Sequence, residues 1–232
     1  YRPYMNEITK HLIDFGYPPC EGNIMVSNPF WCKTVSEYKN ETKRWIEAPD
    51  MQNYMDLAIF FDSFAVAGDK DLLINLKDDL FNKLHDKDVF MAYFAKATLT
   101  FDTPNTIANF MTKSHNIDIK KAAVFPIVQG IRSLALREKI RETTTVKRIK
   151  ILEEKKILER SKAAELLEAF DVVNTLRLKA QLDDIQDNKE VNNEIDTHTL
   201  GKIERDLLKD SFKIVIEFKK FINYTFRIDK IS

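Results

Sequence analysis

The sequence predicts a mainly α-helical protein in which a small α+β portion, residues 1–87, precedes an antiparallel helical bundle, residues 88–232. Three observations carry that prediction. Signals for extended chain, meaning short apolar or aromatic runs bounded by Pro, Gly, Asn or Ser, occur only before residue 70. Beyond the polar step Asp86-Lys87-Asp88 the apolar residues keep the three-four spacing of a helix face. The last such pattern, Leu200, Ile203, Leu207, Leu208, Phe212, Val215, Phe218, Ile222 and Phe226, is the longest and suits antiparallel packing in a bundle.

Taken in order, Tyr4, Ile8, Leu12 and Phe15 recur at helical spacing after Pro3, and Gly16 follows where a left-handed residue commonly ends a helix. Pro18 and Pro19 forbid continuation, and Ile24, Met25 and Val26 between Asn23 and Ser27 read as a brief strand. Thr34 with Glu37 is a capping-box pattern, so a helix is expected from there towards Ala48, with Trp45 in the core and Pro49 as the stop. The apolar run from Met55 to Phe61 fits neither period. Its aromatic and β-branched end, up to Val66, favours a strand closed by Gly68 and Asp69, which mark a turn and the next helix start. Leu72, Leu73, Leu76, Leu80 and Leu84 form that helix's face. Phe90, Tyr93, Phe94 and Ala97 supply another helix, and Ile107 with Phe110 a shorter piece. Residues 118–140 read as a long helix kinked or broken near Val124 by Pro126, which lacks a backbone donor. Further helices start near Thr145 and at Ser161, the second with Ala164, Leu167, Val173 and Leu176 on or near its buried stripe, and residues 183–197 read as a loop.

Composition narrows the function classes. The chain has 36 Lys and Arg against 36 Asp and Glu, so no global field recruits nucleic acid or anionic membrane. No apolar run approaches the ~20 residues needed to cross a bilayer, and the N-terminal residues lack a secretory apolar core. A cytoplasmic address is expected. Cys20 and Cys32 with His11 make at most an incomplete zinc set. With 16 Phe, exposed ones on the last helix would be the place for a homodimer face, with core burial as the default.

Few motifs carry chemistry. Each of the five glycines is isolated and none precedes Ser, so no phosphate-cradling loop is present. Asp69-Lys70-Asp71 and Asp86-Lys87-Asp88 have the spacing that puts two acids on one strand face, but both precede helical patterns and read as solvated first-turn acids. Asp62, in the run IFFDSFAVAGD, is either a metal-ligating carboxylate or an acid making local backbone bonds. Lys120, Lys121, Arg132, Arg148 and Arg177 are the cationic candidates for holding phosphate, if they converge. Arg132 and Arg177 lie in apolar helix stretches, where a charge needs either a buried partner or a ligand. The run KRIKILEEKKILER, residues 147–160, reads as a solvated face, and Thr143–Thr145 as a helix cap. His11, His85, His115 and His198 are scattered with no nucleophile motif around them.

Two stretches, GYPPCEGNIMVSNPFW at residues 16–31 and IFFDSFAVAGD at 59–69, with Trp45 before Pro49-Asp50 between them, resemble the C-terminal half of a nucleotidyltransferase domain. That domain is often found behind cyclic-nucleotide-binding and cystathionine-beta-synthase-type domains in bacterial signalling proteins related to the uridylyltransferases of PII. From about Phe90, positions including Asp118, Lys120, Pro126, Arg132, Thr144, Thr145, Arg148, Arg177, Asn193, Leu200 and Arg205 resemble the helical substrate-binding domain that accompanies it. The resemblance implies Mg²⁺-dependent transfer of a nucleoside monophosphate from a nucleoside triphosphate to an acceptor, possible acceptors including a protein. It also implies that the Gly-Ser and paired-aspartate segment lies before Tyr1, that Asp62 is the remaining catalytic and metal carboxylate, and that this chain alone is inactive. Relatives tend to carry Arg two residues after that Asp, where this chain has Phe64. The competing expectation is a non-catalytic regulatory or interaction module.

Overall fold

The computed structural model describes residues 2–104 and 116–231 and is mainly helical. The Ile107–Phe110 piece and His115 lie outside the described residues. α1 (Arg2–Asp14) ends as expected at Gly16, whose φ of +95° suits a residue without a side chain. None of its described side chains is buried. Residues Ile24–Val26 form turns rather than a strand. Asn28 ties that segment down, donating its side-chain amide to Asn23 O at 2.9 Å and accepting from the Phe30 amide at 3.0 Å.

α2 (Val35–Glu47) starts on the predicted capping box, with Thr34 N donating to Glu37 Oε2 at 2.7 Å and Glu37 N donating to Thr34 Oγ1 at 3.3 Å. Trp45 on this helix is fully buried. The expected strand ending at Val66 is instead a helix, α3 (Met51–Phe61). Asp50 caps it by accepting from Asn53 N at 2.7 Å, and the buried positions Asn53, Asp56, Leu57, Phe60 and Phe61 have helical period. Cap and period outweigh the β-preference of the aromatic end. After the turn at Gly68, α4 (Lys70–Lys83) begins at N-cap Asp69 and packs on α2. Its inner face is Leu76, Lys77, Leu80 and Phe81, with Leu72 exposed.

α5 (Asp88–Lys96) leads into a short 3₁₀ turn, Ala97–Leu99. The two strands among the described residues lie in the second part of the chain, where β1 (Asn116–Asp118) pairs antiparallel with β2 (Glu194–Asp196), Ile117 opposite Ile195. The pair replaces the start of the expected long helix and part of the expected 183–197 loop. A π-helical turn, Lys120–Val124, then passes into α6 (Phe125–Arg137), which carries Pro126 in its first turn. This is the irregularity expected near Val124. Ala122 O, which an ordinary residue at 126 would bond, accepts from Thr103 Oγ1 at 2.7 Å.

α7 (Thr145–Glu154) follows, then α8 (Arg160–Gln186) and α9 (Lys202–Phe226), which pack along one another. α8, with 27 residues, exceeds the 25 of α9, so the last helix is not the longest. The buried stripe of α8 is Ala163, Leu166, Ala169, Val173 and Leu176. Phe212, Phe218 and Phe226 of α9 are buried in the core, the default reading for them. Gly130 of α6 lets α9 come close, since a Cβ there would sit 2.5 Å from the Phe218 ring. One apolar core runs from Trp45 and Phe61 through Phe94 and Ile127 to Phe212 and Ile222.

Candidate functional site

Asp62 stands at the end of α3, its amide donating to Ala58 O at 3.1 Å. It is a helix-end residue, not the strand residue expected from the sequence. Its carboxylate meets two arginines from the second part of the chain. Arg132 on α6 donates from Nε at 2.8 Å and from Nη2 at 2.6 Å to Asp62 Oδ2. Arg148 on α7 places Nη1 2.7 Å from Oδ1, a close ion pair rather than an aligned hydrogen bond.

Each arginine is held from behind. Arg132 Nη1 donates to Gln129 Oε1 at 2.6 Å, and Gln129 is oriented by donating its amide to Phe94 O at 3.0 Å. The Arg148 side chain is 1% exposed, donates from Nε to Glu142 O at 2.6 Å and stacks over Phe61 with Cζ 4.6 Å from the ring centroid. Its Nη2 is buried with no hydrogen-bond partner among the described residues. Burial pulls this guanidinium below its ordinary pKa, while Asp62 opposes the shift.

Lys77 of α4 joins the same group. It is 4% exposed, donates to Ser63 O at 2.6 Å and lies 5.7 Å from the Phe61 ring. Burial pulls its pKa down to about 8, with Arg148 lowering it further and Asp62 opposing. Two arginines therefore share one carboxylate, with a third cation close by. Glu142 offsets part of this charge from a distance, its Oε1 accepting from the Thr143 and Thr144 amides at 2.8 and 3.0 Å just before α7. Those bonds, that to Thr144 first, hold the Glu142 carboxyl below its usual range. The expected threonine cap is not made; Glu142 instead fixes the two residues that lead into α7. A pocket of about 290 Å³ opens between Ser63–Ala65, Arg141–Thr143 and the α4 residues Lys70, Leu73, Ile74 and Lys77.

The other candidates group elsewhere. Lys120 and Lys121 are exposed on the π-turn, with Lys121 Nζ 3.0 Å from Asp118 Oδ2. Arg177 of α8 donates from Nε to Asn193 Oδ1 at 2.7 Å, and Asn193 O accepts from Ile119 N at 3.0 Å. These three border the two-stranded pair. Of the five cationic candidates, the structure brings Arg132 and Arg148 together on Asp62. Arg148 also corrects the reading of residues 147–160 as a solvated face, since it points inward.

The Mg²⁺ that the resemblance implies does not fit the residues here. Both oxygens of Asp62 face guanidinium groups, whose charge repels a divalent cation. No group of three acidic, His or Cys side chains able to hold a metal occurs among the described residues. Asp69 and Asp71 sit at a helix start, with Asp69 accepting from the Asp71 amide at 2.9 Å, and Asp88 opens α5. Cys20 and Cys32 are free thiols. Among the described residues no helix is long and apolar enough to cross a membrane.

Lys77 and Gln129 were missed in the sequence. Lys77 had a signal, because it interrupts the leucine stripe of α4 at a core position, four residues after Leu73 and three before Leu80. Gln129, three residues before Arg132, was a helical neighbour able to orient it.

The arrangement defines a helical unit that presents arginines to the end of a preceding helical segment. The family model described as putative nucleotidyltransferase substrate binding domain matches residues 88–226, more than half of the chain, which therefore belongs to that family. A second model, described as a putative nucleotidyltransferase, matches residues 1–52. No curated protein and no solved structure matches the chain.

Proposed function

We propose that this chain is the substrate-binding part of a nucleotidyltransferase and works in moving a nucleoside monophosphate from a nucleoside triphosphate to an acceptor, for which a protein is one candidate. In this reading residues 1–87 end the nucleotidyltransferase-like portion and residues 88–232 form the substrate-binding unit. The single observation that carries the reading is the surplus of positive charge around Asp62, where Arg132 and Arg148 share one carboxylate and the buried Lys77 lies nearby on Ser63 O and the Phe61 ring. Guanidinium forks match phosphate oxygens, and the unpartnered Arg148 Nη2 keeps a donor in reserve. Arg132 and Arg148 are assigned to the phosphate side; Lys120, Lys121 and Arg177 form a second, separate candidate group.

The chain's own residues supply binding and orientation. With Asp62 engaged by two arginines, no carboxylate set is assembled to direct the transfer, so the 232-residue chain is expected to bind nucleotide without turning it over. Sustained transfer by this chain alone refutes the assignment of roles. The same engagement of Asp62 favours a second reading, a non-catalytic regulatory module that senses nucleotide.

Thermal denaturation with nucleoside triphosphates tests both. A ligand at 100 times its dissociation constant stabilises by about 2.7 kcal/mol, which raises Tm by roughly 5–10 °C at this size. Arg132→Met is expected to abolish the shift. Absence of any shift with every triphosphate overturns the nucleotide reading.

A further inference from the structure

We propose that the pocket between Ser63–Ala65 and Arg141–Thr143, with the buried Lys77 in its wall, binds a polyphosphate chain. The proposal deepens the nucleotide reading, on which it rests for the triphosphate as one source of that chain; free inorganic polyphosphate is the other.

Four observations converge. Lys77 and Lys70 both line the pocket, and Lys77 reaches it from a core position, which is an expensive place for an ammonium with one backbone acceptor, Ser63 O. Arg148 stands behind it against the same Phe61 ring, with Nη2 unpartnered. Among the described residues Glu142 is the one carboxylate in the pocket wall; it accepts from the Thr143 and Thr144 amides and lies 3.5 Å from Lys147 Nζ, so it offsets Lys77 only from a distance and makes no ion pair with it. Finally, burial of Lys77 without a full counter-charge depresses its affinity for protons, and an anion in the pocket supplies the missing partner. Arg141 at the mouth is already paired with Asp78, so the lysines take the phosphate oxygens.

Calorimetric titration of the 232-residue chain at fixed ionic strength tests this, with inorganic tripolyphosphate and ATP as probes. Tripolyphosphate is expected to bind. Lys77→Met should weaken it at least tenfold and Lys70→Met, an exposed position that does not threaten folding, about threefold, while Lys189→Met leaves it unchanged. Should Lys77→Met not fold, the Lys70→Met result decides. Absence of tripolyphosphate binding, or binding untouched by the Lys70 and Lys77 changes, overturns the pocket. ATP binding that survives both variants also overturns the pocket but leaves the nucleotide reading standing. Tripolyphosphate binding without binding of any nucleoside triphosphate does the reverse.

Discussion

Replacing Asp62 by Asn separates the two roles considered for this residue, because they predict opposite signs. In the structure the carboxylate is the shared partner of Arg132 and of an Arg148 side chain that is 1% exposed. Removing its charge leaves Arg148 with only its Nε bond to Glu142 O, while Arg132 keeps Gln129. Unit charges 4 Å apart interact by about 4 kcal/mol at an effective dielectric constant near 20, and breaking a buried pair from one side typically costs about 3–5 kcal/mol. The Asp62 side chain is 27% exposed, so water screens part of this and the lower end applies. We expect a loss of about 3 kcal/mol. With a urea dependence of about 3 kcal/mol/M for a chain of this size, the unfolding midpoint should fall by about 1 M. The assay is equilibrium urea unfolding followed by tryptophan fluorescence, with Arg132→Met and the double variant completing a cycle whose coupling should be about 1–2 kcal/mol. A carboxylate kept for a cation would be relieved by the same change. An unchanged or raised midpoint for Asp62→Asn therefore refutes the reasoning.

Three further outcomes follow from other parts of the fold. Gly130→Ala should destabilise by about 1–2 kcal/mol, because overpacking against Phe218, which a Cβ would approach to 2.5 Å, exceeds the roughly 1 kcal/mol gained in helix preference; a raised Tm would contradict it. Thr34→Ala should cost about 1 kcal/mol through loss of the α2 cap, read as a lower urea midpoint, and no change would show the cap to be redundant. Lys77 makes stability depend on pH: its folded pKa, about 8, lies below the unfolded 10.5, so the unfolded chain holds more protons between these values. The penalty of the buried charge is thus full below pH 8 and is relieved as pH rises, by about 2 kcal/mol at pH 9.5. Lys77→Met should lack this rise when urea midpoints at pH 7.5 and 9.5 are compared.

Much of the helical plan was legible because it rests on local signals. The Thr34–Glu37 box, Gly16, the Gly68-Asp69 turn and the long face of α9 all act within a few residues of the feature they specify. The errors arose where distant contacts decide. Residues 59–66 carry β-preferring side chains, yet Asp50 and the core positions of α3 draw the segment into a helix as far as Phe61. β1 and β2 lie 78 residues apart at their central pair, Ile117 and Ile195, and a three-residue strand has no pattern of its own without its partner. For the site, Arg132 was recognisable as a charge in an apolar stretch. Arg148 was hidden within a run of exposed lysines and glutamates, since only the tertiary fold turns that one side chain inward. Convergence of Arg132 and Arg148 on Asp62, 70 or more residues before either of them, is not a property that spacing can encode.

α1 carries Tyr4, Ile8 and Leu12 in solvent, with Phe15 just past its end 77% exposed, and buries none of its described side chains. A helix of 13 residues with no buried side chain among those described is marginal in water. Amide protons of this segment should consequently exchange with solvent many orders of magnitude faster than those of α6 or α9, and its melting should precede and be uncoupled from that of the core. Any molecule that covers its greasy side would register first as slowed exchange there, well before a calorimeter sensed it.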